Sequence, residues 1–404
     1  MATRNEIGAE EQGRLQVRQV RIGDTEYPYR YGADCVDLIL QELATMNADR
    51  FIVVTDDTVL GLHGAALLSG LGGLAPVEVV SHPPGEGMKT LDVLAGDIER
   101  VIACGATRRS VVIAFGGGVP GNLAGVVAAL LFRGVRLVHI PTTTTAAMDS
   151  VLSLKQAINS RRGKNHIGTY LPPYGVFTDV RMLTTLPERE LRSGLCEAAK
   201  NCLAIRPGDL PMLRRMLDEG RLASPEALSW LLEVSIAAKT GVTAADSFER
   251  RAGLVLEYGH TVGHAVELVD HRRHGPDGLS HGESIAFGML VAARISHARG
   301  RLSAEDVRVH DEIVAALGAP TRLPEGMTVD EVLAVVRDDN KRGYLPDVPG
   351  QVPFVLLDGL GVPAGEPELP LVPVDLAEVR SALEALVPEA ATVRGGSAVG
   401  MEIR

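Results

Sequence analysis

The chain has 404 residues, with 40 Lys and Arg against 51 Asp and Glu and a formal net charge of −11. Hydrophobic residues make up 46% and aromatics 4%, a globular composition that argues against disordered, collagen-like and disulfide-scaffold classes. The acidic balance counts against a nucleic-acid partner, and no apolar run approaches the ~18 residues of a membrane span, so no membrane partner is expected either.

In chain order, residues 1–14 read as a flexible tail without a signal-peptide core. Residues 15–187 then alternate between apolar, β-branched runs (51–55, 77–81, 110–115, 135–140, 175–179) and helical patterns (91–104, 122–132). That alternation predicts an α/β domain with a mostly parallel sheet and crossover helices. The third run leads into Gly116-Gly117-Gly118-Val119-Pro120-Gly121-Asn122 and a helix. Glycines there let a pyrophosphate approach the backbone, and the helix N-terminus offers free N–H groups, so a Rossmann-like dinucleotide site is expected. No acid follows on the next strand, which ends in Thr142 and Thr143. Asp56 does end an earlier strand and is placed to hold a ribose hydroxyl.

From 188 to 387 the texture turns helical (190–205, 225–245, 254–268, 282–299, 304–317). A Pro- and Gly-rich stretch at 344–374 carries one strand at 354–357. Residues 388–404 read as a second flexible tail. Within the helical half, His260 and His264 lie four apart and project from one helical face. His281 follows in a Ser-His-Gly-Glu turn, and Glu197 opens another helical run. These groups suit Zn²⁺ or Co²⁺. Glu257, one turn before His260 on the expected 254–268 helix, is a candidate acid or base.

The basic residues are unevenly split: 34 Arg and 6 Lys. Where Arg is so preferred, each remaining lysine marks a position that Arg serves poorly, such as proton transfer or phosphate contact. The six are Lys89, Lys155, Lys164, Lys200, Lys239 and Lys341. The four cysteines (Cys35, Cys104, Cys196, Cys202) form no CxxC pair and are expected to be reduced thiols in the cytoplasm.

Taken together, these motifs resemble the sugar phosphate cyclases, the family that includes dehydroquinate synthase. The resemblance spans roughly 56–343. It rests on the glycine turn with Asn122, Phe132-Arg133-Gly134, Asp149 through Gln156, Gly163-Lys164-Asn165, Cys196-Glu197-Ala198-Ala199-Lys200-Asn201, Glu257-Tyr258-Gly259-His260, His281-Gly282-Glu283 and Asp339-Asn340-Lys341-Arg342-Gly343. Within that family the pattern most resembles the branch that makes a deoxy-inosose from D-glucose 6-phosphate for aminoglycoside antibiotics, and that conversion is the expected activity. Dehydroquinate synthase has Asp, Arg and Asn where this chain has Asn122, Gly253 and Glu257. Its Arg can grip a substrate carboxylate; Gly253 cannot, which implies a substrate without one. A relative acting on sedoheptulose 7-phosphate, 2-epi-5-epi-valiolone synthase, remains an alternative, as does a metal-dependent polyol dehydrogenase of the same plan.

The resemblance implies an NAD-dependent lyase that uses its cofactor twice. C4 is oxidised, phosphate is eliminated from C6, C4 is reduced again, and ring opening is followed by an aldol closure. It implies Glu197, His260 and His281 as metal ligands, with His264 moved to proton handling; spacing alone would also admit His264 as a ligand. Lys155 and Glu257 become the catalytic pair. NAD contacts fall to Asp56, Glu86, Lys89, Gly117, Gly118, Val119, Pro120, Gly121, Asn122, Thr142, Thr143, Ser153, Leu154, Lys155, Lys164 and Asn165. Phosphate contacts fall to Arg133, Asn165, Lys200, Lys239 and Lys341, with Arg133 reaching across a homodimer.

Overall fold

The structure, a computed structural model, describes residues 15–161, 163–275, 278–339 and 341–388. The tails expected at 1–14 and 388–404, apart from Pro388, lie outside those residues, as does Asn340 of the last motif. The N-terminal half contains β1 (Gln16–Ile22), β2 (Thr25–Gly32), β3 (Phe51–Asp56), β4 (Val77–His82), β5 (Val111–Gly116), β6 (Arg136–Pro141), β7 (Lys155–Ser160), β8 (Gly163–Tyr170) and β9 (Gly175–Asp179). Seven of these form one sheet in the order β1-β2-β9-β6-β5-β3-β4. All its pairings are parallel except that of β1 with β2.

The five expected strands are β3, β4, β5, β6 and β9. Runs such as Phe51–Thr55 and Val111–Phe115 are buried because helices cover both faces of a parallel sheet. From β3 the chain moves outward to β4, then returns to the other side of β3 as β5 and continues through β6. The direction therefore reverses between β3 and β5, and open α/β sheets bind ligands at the carboxyl ends flanking such a reversal. Asp56 and the glycine turn after β5 are the residues found there.

Hairpins β1–β2 and β7–β8 lie outside the expected set. β1 is an edge strand in which Arg18 and Arg21 interrupt the apolar run, and β7–β8 forms its own exposed antiparallel pair. In β2, Tyr27, Tyr29 and Tyr31 alternate with Pro28 and Arg30 and are fully buried. They pack into the same core as Leu195, Leu231 and Phe287 of the helical half. Two of their hydroxyls donate to the carbonyls of Val151 (2.7 Å) and Ala147 (2.8 Å). The core thus runs across the expected division at 187/188.

The helical half is built on close approach. An added Cβ at Gly282, in the His281–Ala298 helix, would lie 1.9 Å from the Ser193 carbonyl oxygen in the Glu188–Ala204 helix. One at Gly288 would lie 1.9 Å from the Gly259 carbonyl oxygen. These contacts press together the three segments that carry Glu197, His260 and His281. Gly282→Ala is accordingly expected to destabilise the fold by about 3 kcal/mol, as overpacking does, read as a lower denaturant midpoint at unchanged m-value. All four cysteines are free, and among the described residues no helix is long and apolar enough to cross a membrane.

Candidate active site

The expected helix 254–268 is interrupted. Residues Ala252–Glu257 form a 3₁₀ segment, Gly259 takes φ +82, and the α-helix begins at His260 (His260–His274). Glu257 therefore reaches the site from a separate turn, not from one continuous helical face. Helical periodicity could not show the break; the left-handed Gly259 makes it. Further on, Ser280 and Glu283 form a capping box that places His281 at the first position of its helix.

Those turns bring four donor groups together. The ligand nitrogens of His260, His264 and His281 lie within 4.8 Å of one another. Glu197 Oε1 is 3.9 Å from His260 Nε2 and 3.6 Å from His281 Nε2. It is buried without a hydrogen-bond partner, while Oε2 accepts from Lys200 Nζ at 2.5 Å. His260 donates Nδ1–H to the Tyr258 carbonyl (3.2 Å) and His281 donates Nδ1–H to Glu267 (2.9 Å). Both Nε2 atoms face Glu197, and in the neutral imidazole each would be the acceptor available to a metal. Two ligands held ~2.1 Å from one tetrahedral ion sit about 3.4 Å apart, so the orphaned oxygen and the two nitrogens fit a divalent cation with a small inward adjustment. Burial lowers the His260 pKa well below the usual imidazole value, with Lys200 adding to it. Burial acts the same way on His281, but the bond to Glu267 overrides it and raises its pKa to about 9.

Beside this cluster lies a cavity of about 500 Å³. Glu257, His260, Lys155, Lys200, Lys239 and Asn165 line it, with Asp149 and Glu249. The lysines stand in ion pairs: Lys155 with Glu249 (2.8 Å), Lys239 with Asp149 (2.7 Å) and Lys341 with Asp339 (2.9 Å). Lys341 is buried behind Glu257 at 3.7 Å. Glu257 Oε2 is buried and makes no hydrogen bond. Burial alone would raise the Glu257 pKa, but the basic groups around it, His260 where protonated and Lys341, lower it below the ordinary carboxylate range.

At the carboxyl ends of the sheet, Asp56 accepts from the Val59 amide (2.9 Å) and caps the following helix. Its other oxygen faces Gly116, where φ is +147. Gly118 opens onto free space at the start of the Gly118–Leu130 helix, whereas Gly117 is packed on Thr143. Thr143 caps the next helix and Thr142 is buried. Lys89 is also buried; it donates to Asn165 (2.6 Å) and pairs with Glu86. This fastens the β7–β8 hairpin to the turn after β4. Ser153 accepts from the Lys155 amide (3.1 Å), and Leu154 packs against the core. Lys164 pairs with Glu267.

Asn122 fills a two-sided role: its amide nitrogen donates to the Gly118 carbonyl and its oxygen accepts from the Ala157 amide, both at 2.8 Å. A carboxylate could not donate to Gly118. Asn122→Asp is therefore expected to lose the Gly118 bond while keeping the one from Ala157, and to destabilise by about 1–3 kcal/mol, read as a lower denaturant midpoint. At Gly253 an added Cβ would lie 2.7 Å from the Asp246 Oδ2, so a larger residue there requires that carboxylate to shift. Arg133 does not line the cavity; it is exposed, in a left-handed run with Phe132 (φ +69 and +50).

Sequence reasoning missed Asp149, Glu249, Glu267 and Asp339. Glu267 was legible, because residues 260, 264 and 267 share a helical face. Glu249 was not. It comes from a loop that Asp246 shapes by accepting the amides of Arg250, Arg251 and Gly253.

Comparison with known proteins accords with this geometry. The family models for the N-terminal and C-terminal parts of 3-dehydroquinate synthase match residues 79–193 and 194–342. A 2-deoxy-scyllo-inosose synthase from Streptoalloteichus tenebrarius is 46% identical over 391 residues, covering 96% of this chain and 98% of its own. A crystal structure of 2-deoxy-scyllo-inosose synthase with carbaglucose-6-phosphate, NAD⁺ and Co²⁺ superposes with a TM-score of 0.83 at 33% identity, covering 92% of this chain and 100% of that one. The 2-epi-5-epi-valiolone synthase of Streptomyces hygroscopicus subsp. jinggangensis, with NAD⁺ and Zn²⁺ bound, gives a TM-score of 0.77 at 25% identity, with 91% and 99% coverage. The chain belongs to the 3-dehydroquinate synthase-like family of sugar phosphate cyclases, in its 2-deoxy-scyllo-inosose synthase branch.

Proposed function

We infer that the chain converts D-glucose 6-phosphate to 2-deoxy-scyllo-inosose with release of phosphate, as a cytoplasmic homodimer. The observation that carries the reading is the placement of a buried, unbonded Glu257 oxygen between the Glu197–His260–His281 cluster and a cavity rich in lysine. Glu197, His260 and His281 hold a divalent metal, Zn²⁺ or Co²⁺, and the carboxyl ends of β3, β5 and β6 hold NAD. When bound, the metal polarises a substrate hydroxyl and NAD accepts and returns hydride.

The chain's own residues do the rest. Glu257 takes the C5 proton, and His264, partly buried beside His260 and His281, handles protons near it. Lys155, Lys200, Lys239 and Asn165 bind the phosphate dianion and stabilise it as it leaves. Lys341 supports Glu257 from behind and adds to the positive field. Arg133, exposed and not among the residues lining its own cavity, extends that field from a second copy of the chain. Cavity walls from both halves position the reactive intermediates and exclude water until the ring closes.

The test is stoichiometry. With NAD⁺ and Co²⁺ supplied, one phosphate per glucose 6-phosphate consumed and no accumulating NADH at 340 nm is the expected result. NADH formed in step with substrate loss and without phosphate would instead make the protein a dehydrogenase.

A further inference from the structure

The Glu267 carboxylate is shared between two partners from different halves of the chain. Oε2 accepts from His281 Nδ1 at 2.9 Å, and Oε1 accepts from Lys164 Nζ at 3.2 Å. Lys164 stands on β8, next to Asn165, which in turn accepts from the buried Lys89. Glu267 itself rides on the His260–His274 helix, and its side chain is only 13% exposed. One acid therefore touches the metal-donor cluster with one oxygen and the hairpin lining the dinucleotide side with the other.

We propose that Glu267 is a positioning residue that fixes His281 as a metal donor and ties the β7–β8 hairpin to the metal centre, so that metal and dinucleotide binding reinforce each other. This rests on the reading of His281 as a metal ligand. An imidazole binds a metal through an unprotonated nitrogen, and a carboxylate on the opposite N–H fixes that tautomer and strengthens the donor. A metal that orders His281 also orders Glu267, and through Oε1 it orders Lys164. NAD then meets a hairpin already held in place, and by thermodynamic reciprocity NAD tightens metal binding by the same factor.

The test uses the full chain stripped of metal, as wild type, Glu267→Gln, Glu267→Ala, Lys164→Gln and His281→Ala. Co²⁺ and Zn²⁺ dissociation constants are measured by chelator competition. NAD⁺ affinity is measured by calorimetry with and without metal. Glu267→Gln, nearly isosteric, is expected to weaken metal binding about 10–100-fold, while Lys164→Gln stays close to wild type. Metal is expected to tighten NAD⁺ by about fivefold or more in wild type, and this effect is expected to vanish in both Glu267→Gln and Lys164→Gln. Wild-type metal affinity in Glu267→Gln overturns the positioning role, and an undiminished metal effect on NAD⁺ in that variant overturns the tie. If His281→Ala also binds metal normally, the ligand reading itself has failed; if only His281→Ala loses metal, the failure belongs to Glu267 alone. Should Glu267→Ala not fold, Glu267→Gln and Lys164→Gln decide the matter.

Discussion

Replacing Glu257 by Gln lowers kcat by about 10²–10⁴-fold, the usual worth of a positioned general base, with NAD⁺ and metal binding retained. The substitution keeps shape and volume, so it removes basicity and little else. In the substrate-free site burial opposes ionisation, but the surrounding basic groups, Lys341 among them, lower the pKa of the carboxyl. A phosphate dianion arriving among Lys155, Lys200 and Lys239 offsets that positive field and raises the basicity of Glu257 toward the range where proton transfer is efficient. The base is therefore strengthened by the group that is about to leave. Stopped-flow absorbance separates the steps: the first hydride transfer is expected to survive in the variant, giving a burst of bound NADH, while phosphate release stalls. Near-normal phosphate release by Glu257→Gln would remove the residue from proton transfer.

His281→Ala loses its divalent metal, from about one ion per chain to less than a tenth of that, measured by elemental analysis after gel filtration. The buried Glu197 oxygen is then left facing one imidazole, too few donors to hold an ion against water. His264→Ala is expected to keep its metal and to lose turnover, because Glu197, His260 and His281 already supply three converging donors. This pair of variants also decides the choice that spacing leaves open. If His264→Ala loses metal and Glu197→Gln keeps it, the donor set is the three histidines.

Much of this site could be read from the sequence because its parts are local. The i, i+4 histidines, the Ser280–Glu283 capping box around His281 and the glycine turn after β5 each occupy a few consecutive residues. The inner strands β3, β5, β6 and β9 stood out as apolar runs because a sheet covered on both faces leaves no polar side. What escaped is non-local or conformational. The break at Gly259, which sets Glu257 on its own turn, depends on a backbone angle that helical periodicity does not register. The partners Glu249 and Asp149 meet their lysines only after the chain has folded back. The tyrosines of β2 show an alternation that could have been read, but their role in joining the two halves into one core depends on where the Glu188–Ala204 and His281–Ala298 helices come to rest.

The measurement that tests the central claim most directly is a substrate panel. The purified chain, with NAD⁺ and Co²⁺ or Zn²⁺, is offered D-glucose 6-phosphate, sedoheptulose 7-phosphate and the dehydroquinate synthase substrate separately, with phosphate release followed and each carbocycle identified by mass spectrometry after oxime capture. The expected result is phosphate and 2-deoxy-scyllo-inosose from glucose 6-phosphate, with no turnover of the carboxylate-bearing substrate. Turnover confined to sedoheptulose 7-phosphate would contradict the account.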